Sequence, residues 1–545
     1  MRAEGCDHLG DLLETHVRAR PDAVACATGG RSPRTVTFAE LAGLIDRTAA
    51  GLRTAGVRAG TRTSVMVPPG VEMLALAHAL LRMGAVPVLI DPALPRAALR
   101  ACMEEAAPEV FVGVPRAQAA RSALGWARRS VRTTITVGPR RLWLGRTLHG
   151  LRADAPADLV SGPVPGLDDI ALIAYTSGST GVPKGVPLRH GHLLAQVRML
   201  DRAKPLEPGT RVLSTFPPFA LASTVLGAAP VFPAVDARRP ASARPSVLVA
   251  DVRRFGVGAL FAPPALLDRI ARYCLSRGVT LPSVHTVLTA GAPLPQAVLD
   301  RVHACLPADA ELYSAYGATE CMPVSAIEGR DLAATAAAEG TCLGEPLPGQ
   351  LVRVIGVTDD PIPKWSDDLL VPPGTVGELT VTGPTVADPY LDRPAATARA
   401  RIADGDRVVH RMGDLGRIDE RGRLWFAGRK SERVRVASGA ELYTDHVEPA
   451  FTAIPGVRRT ALVGVGPPPR QRPVLVVEPE PGTGRARRAR LRADALALAA
   501  ERPGTAAIRD VLFHDRFPMD VRHRSKIRRD ELAAWATRRL EGDAR

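Results

Sequence analysis

Between Arg62 and Asp91 the chain reads RTSVMV, then VEMLALAHALLRMG, then AVPVLID. Two short strand-forming runs flanking an apolar run of helical length predict a β-α-β unit, and this unit restricts the fold more than any other stretch. Its two strands must lie parallel, since the helical crossover returns the chain to the same end of the sheet. A parallel sheet needs helices over its faces. Further strand-like runs precede Tyr175, Thr289 and Tyr316, and residues 37–53 read as a helix, with Thr37 and Glu40 spaced as a capping box and Leu41, Leu44, Ile45, Ala49 and Leu52 on one face. The expected fold class is α/β: a large N-terminal body of several subdomains, built of parallel sheets and covering helices.

A chain of 545 residues exceeds one ordinary core. From about Gly428 the texture changes to the charged turn GRKSERVRVASG and then to shorter elements. ALVGVG, PVLVVEPE and RDVLFHDR are strand candidates, and DELAAWATRRL puts Leu532, Trp535, Ala536 and Leu540 on one helical face. The expected division is residues 1–430 as the N-terminal body and 431–545 as a small α+β C-terminal domain. Pro467–Pro473 and the segment PEPGTGRARR read as its exposed connections, and the run Arg485–Arg492 as a solvated linker or helix edge.

The formal charge is +15, carried by 66 arginines and only five lysines. These cations are spread along the chain without interleaved aromatics, which argues against a nucleic-acid partner. Seven cysteines without a CxxC pair fit a reducing, cytoplasmic setting. The N-terminus lacks the apolar core of a signal peptide. The most apolar stretch, Leu74–Ile90, is interrupted by Arg82, Gly84 and Pro87, so no membrane span is expected.

Chemistry concentrates where the apolar run Ile170–Ala174 enters YTSGSTGVPKGV. A strand, a loop rich in glycine and hydroxyl groups, and a helical stretch at LRHGHLLAQVRML have the parts of a phosphate cradle, while a glycine-rich surface turn is the bland alternative. The loop is no Walker motif, because Lys184 follows Pro183 and precedes Gly185.

This loop resembles the phosphate-loop signature of the adenylate-forming enzymes, which include acyl-CoA ligases, luciferases and peptide-synthetase adenylation domains. Four more stretches resemble that family in the same order: YGATE, HRMGDLG, GRLWFAGRKSERV and RHRSKIRR. The resemblance implies ATP and Mg2+ as cofactors and a small carboxylic acid as substrate. It implies nucleotide contacts from Thr176, Ser177, Gly178, Ser179, Thr180, Gly181 and Lys184, from Gly291, Ala292 and Pro293 in TAGAPLP, and from Tyr316, Gly317 and Thr319. Glu320 would hold the metal, Asp414 the ribose hydroxyls, and Arg429 ribose or phosphate. Lys526 would be the C-terminal lysine of the adenylation step, delivered by a mobile C-terminal domain that swings about the turn near Ser431.

Bond chemistry asks for the same parts. A carboxylate resists nucleophiles until joined to a leaving group such as AMP, and displacing pyrophosphate requires cations on the phosphates. Two of the five lysines, Lys184 and Lys526, fall at those positions in a chain that otherwise uses arginine. A compact ammonium and a planar guanidinium do different work. Lys430 reads as a solvated charge, and Lys204 and Lys364 as surface residues.

Ala220 in FPPFALAS, Ser525 before Lys526, and the run YGATECMPVS resemble one branch, the olefin-type β-lactone synthetases. That likeness implies an alkyl-bearing 3-hydroxy acid whose own hydroxyl closes on the activated carbonyl, with a thiolase-like enzyme and a reductase as pathway partners. The alternatives are a ligase that passes the acyl-AMP to CoA or a carrier protein, and a non-catalytic binder. His190, His192 and His410 are candidates for the ring-closing base, each with a structural role as its ordinary alternative. Cys321 reads as a packed thiol rather than a nucleophile.

Overall fold

The computed structural model describes residues 8–30, 32–139, 145–156, 163–176, 183–204, 206–236, 243–335, 340–502, 504–519 and 527–543. It separates into two compact units, one of Met1–Val324, Leu347–Gln350 and Gly383–Ala398, the other of Ser325–Pro346, Leu351–Thr382 and Arg399–Arg545.

In the first unit the β-α-β pattern forms as its sequence dictates. Strands Arg62–Met66 and Val86–Leu89 pair in parallel around the helix Val71–Arg82. The interrupted apolar stretch Leu74–Ile90 is thus most of a helix followed by a strand. Among the described residues no helix is long and apolar enough to cross a membrane. The full sheet runs Arg146–Thr147, Thr133–Thr136, Val110–Gly113, Arg62–Met66, Val86–Leu89, Ile170–Thr176, Lys184–Arg189, with only the last pair antiparallel. A second parallel array orders Glu311–Tyr316, Thr286–Ala290, Ala259–Phe261, Arg211–Ser214, Ala229–Phe232 and Val24–Thr28. Thr37 caps the helix Phe38–Thr54 through the expected reciprocal pair with Glu40.

The second unit contains an antiparallel sheet ordered Thr341–Gly344, Leu424–Arg429, Arg407–Ile418, Gly377–Thr382, Leu351–Ile355. It also contains a three-stranded sheet in which Val457–Val465 runs antiparallel and Asp510–Phe513 parallel to Arg472–Pro479. Successive residues of these strands point to opposite faces. Leu462, Leu475 and Val477 pack with Phe451, Ala495 and Ala499 on one side, whereas Ala461, Val463, Val474 and Val476 pack with Leu532 and Ala536 on the other. Helices on both faces explain why Arg472–Pro479 is buried almost throughout.

Of the two readings of the arginine run the helical one holds: Arg485–Glu501 is a helix with the run as its first two turns, so the exposed connection stops before Arg485; Ala, Leu and Arg are strong helix formers. One local expectation changes. Lys430 is not solvated: its ammonium lies 3.0 Å from the buried Glu378 carboxylate, which also takes the buried Arg411 guanidinium at 2.6 Å. Lys204, whose side chain is partly exposed, is paired with Glu311.

Candidate active site

The first unit gathers one group of the expected residues. Strand Ile170–Thr176 enters the glycine-rich stretch, and the chain returns as the strand Lys184–Arg189, pairing Thr176 with Lys184 and Tyr175 with Gly185. The helical stretch expected at LRHGHLLAQVRML is present, and a strand that the sequence reading did not single out precedes it. Val186 and Leu188 are buried in the returning strand, and the helix His190–Ala203 starts only after it. Gly185 sits at a close approach: an added Cβ would stand 3.0 Å from the Tyr175 ring and 3.2 Å from Leu391 Cβ, so those neighbours would have to give way. Thr176 Oγ1 is buried without a hydrogen-bond partner among the described residues. Ser177, Gly178, Ser179, Thr180, Gly181 and Lys526 lie outside the described residues.

Glu320 comes from the turn after strand Glu311–Tyr316. Val324 N donates to Tyr316 O at 2.8 Å and Cys321 N to Ala318 O at 2.9 Å, folding the segment back on itself. Gly317 permits this, because a Cβ there would meet Met322 Cα at 3.1 Å. Thr319 lies in the same turn. Parallel pairing of Ala290 with Ala315 sets Gly291, Ala292 and Pro293 beside Tyr316 and Gly317, at the carboxyl ends of neighbouring strands. Such ends are where open α/β sheets bind ligands. Gly291 has φ of +89°, with open space where a side chain would stand. Thr289, fully buried at the end of its strand, has no partner for its hydroxyl among the described residues.

Lys184 and Glu320 meet through a residue that the sequence did not single out. The Lys184 ammonium stands 4.2 Å from the centre of the Tyr390 ring, and the Tyr390 hydroxyl donates to Glu320 Oε1 at 2.8 Å. Burial pulls the Lys184 ammonium below the ordinary lysine value, opposed by the attraction of the Glu320 carboxylate. Tyr390 is 206 positions beyond Lys184 and has no local pattern of its own, so only the tertiary contact reveals it.

The second unit holds another pair. Asp414 and Arg429 occupy facing positions on strands Arg407–Ile418 and Leu424–Arg429, with the guanidinium 2.8 Å from a buried Asp414 oxygen. Gly428, with φ of +141°, precedes Arg429; a Cβ there would sit 2.5 Å from Thr444 Oγ1. The three histidines separate by environment. His192 Nδ1 accepts from Arg189 N at 3.1 Å, and His410 is buried in its strand. His190 is buried with Nε2 unpartnered among the described residues, and burial lowers its pKa. Cys321 is fully buried, as a packed thiol should be.

Residues 13–391 match the family described as AMP-binding enzyme. The chain belongs to this family. It is an AMP-forming ligase, with the α/β fold the sequence implied. It is 46% identical to the olefin β-lactone synthetase of Xanthomonas campestris pv. campestris, over 97% of this chain and 97% of that one. It is also 46% identical to the olefin β-lactone synthetase of Stenotrophomonas maltophilia, over 98% and 99%. Among solved structures, ATP-bound MatB from Rhodopseudomonas palustris superimposes with a TM-score of 0.79 at 23% identity, covering 98% of this chain and 99% of that one.

Proposed function

We propose that this protein activates an alkyl-bearing 3-hydroxy carboxylic acid with ATP and closes the resulting acyl-AMP to a β-lactone. The observation that carries this reading is near-complete coverage at 46% identity by two olefin β-lactone synthetases. In the first half-reaction a carboxylate oxygen of the acid bonds to the α-phosphorus of ATP and pyrophosphate leaves. In the second, the C3 hydroxyl oxygen bonds to C1, the hydroxyl proton passes to a base, and AMP departs with the electrons of the C1–O bond. Holding both groups in one molecule supplies effective molarities on the order of 10⁵ M or more, which offsets the strain of a four-membered ring.

The residues fit a nucleotide with a divalent ion. Lys184 offers a desolvated point charge to phosphate, and the Thr176 hydroxyl, without a partner among the described residues, offers a hydrogen bond beside it. Glu320 supplies one hard oxygen ligand, which suits magnesium because that ion takes its remaining ligands from phosphates and water. Bound there, magnesium would neutralise phosphate charge and make pyrophosphate a better leaving group. Asp414, oriented by Arg429, would accept from the ribose hydroxyls. Lys526 would serve the adenylation step, delivered by residues 431–545 turning about the chain near Ser431. A cytoplasmic setting, with a thiolase-like enzyme and a reductase supplying the acid, accords with this role.

The test is incubation with ATP, magnesium and a long-chain 3-hydroxy acid, with and without CoA, followed by mass spectrometry and NMR. CoA-independent loss of water, with one AMP per lactone, is the expected result. A product that forms only as a thioester makes the protein an acyl-CoA ligase instead.

A further inference from the structure

We propose that Tyr390 is a positioning residue that sets Lys184 and Glu320 for nucleotide and metal, an inference that rests on the function proposed above. Tyr390 belongs to a strap whose main chain is bonded to the neighbourhood of both groups. Ala387 N donates to Glu320 O at 2.7 Å, and Leu391 N donates to Gly185 O, next to Lys184, at 2.9 Å. Between these anchors the buried phenol turns its face to the Lys184 ammonium and its hydroxyl to Glu320. Beyond Tyr390 the strap is tied a third time. Arg393 lies 2.6 Å from Glu105, whose other oxygen accepts from Tyr175 at 3.2 Å, on the strand that leads into the glycine-rich loop.

Each contact has a physical consequence. A lone carboxylate rotates, and fixing Oε1 through the phenol holds Oε2 in one orientation, as outer hydrogen bonds do for metal ligands. A lysine on a four-carbon stem is mobile, and the ring face confines its charge without consuming a donor. The phenol thus touches both charged groups, one through its face and the other through its hydroxyl. Among the described residues no ion pair within 4 Å joins Lys184 to Glu320, so the carboxylate attracts the ammonium without taking one of its donors.

The test compares wild type with Tyr390→Phe and Tyr390→Leu, using calorimetric titration of ATP across a range of magnesium concentrations, pyrophosphate release and thermal melting. Tyr390→Phe keeps the ring and removes the hydroxyl. It should melt as wild type does and bind magnesium-free ATP within about twofold of wild type, but need about tenfold more magnesium for half-maximal binding, the loss of one hydrogen bond to a charged group. Tyr390→Leu should in addition weaken magnesium-free binding by about tenfold as Lys184 loses its platform. Wild-type magnesium dependence in Tyr390→Phe overturns the proposal, as does a wild type that binds no ATP. A wild type that binds magnesium and ATP but forms no lactone counts against the proposed reaction alone, and the binding curves of the two variants still decide the role of Tyr390.

Discussion

Thr176 and Lys184 face one another across an antiparallel pair of strands, so the two ends of the glycine-rich stretch are held together at the edge of a parallel sheet. The lysine that ends this stretch is aimed by the sheet rather than by the loop.

Replacing Lys184 by alanine is expected to lower kcat/KM for pyrophosphate release by about 10²-fold or more, the scale of one preorganised donor on developing charge. Lys184→Arg should recover little of it, because a planar guanidinium spreads over several nitrogens the charge that a compact ammonium delivers to phosphate as a point. Steady-state kinetics on both variants measure this.

Nucleotide binding should weaken on the alkaline side earlier than an ordinary lysine would dictate, because burial lowers the Lys184 pKa from 10.5. Between the lowered native value and 10.5 the unfolded chain holds a proton that the native one has released. The cost of burying this charge is therefore fully present below the native pKa and is relieved as pH rises. ATP titrations and melting curves across the alkaline range check the two signs, which are opposite: binding falls while the stability contribution improves.

His78 predicts an acid-labile core. It is buried on the helix Val71–Arg82 with Nε2 unpartnered among the described residues, and desolvation lowers its pKa from 6.5 to about 4. Between these values the unfolded state binds a proton that the native state refuses, so stability falls as pH drops, by about 3 kcal/mol once below the native pKa. A His78→Met variant should show a flatter stability profile between these two values in denaturant titrations.

Asp414 should read the sugar. Wild type is expected to prefer ATP over 2′-deoxy-ATP, and Asp414→Asn to lose most of that preference, with KM for ATP rising about tenfold from weakened hydrogen bonds to a charged acceptor. Unchanged discrimination in the variant would remove the ribose role.

Glu378→Ala should destabilise the second unit. It strands the Arg411 guanidinium and the Lys430 ammonium, both bonded to that carboxylate, at a cost of about 3–5 kcal/mol. Calorimetric unfolding reports this directly.

Much of this was legible in residue order. The β-α-β unit, the capping box at Thr37 and the final helix with Leu532 and Ala536 inward depend on periods and caps that operate within a few residues. The ordered signatures around Lys184, Glu320, Asp414 and Arg429 were legible too, since each is a short string. Tertiary structure alone decided which of these strings meet: the register that sets Asp414 against Arg429, the strand that separates the loop from its helix, and Tyr390 between Lys184 and Glu320. The reason is physical. A helix period or a cap is set by neighbours along the chain, whereas the partner of a buried charge is whichever group the packing brings within a few ångströms, and Tyr390 lies 206 residues from the ammonium it holds.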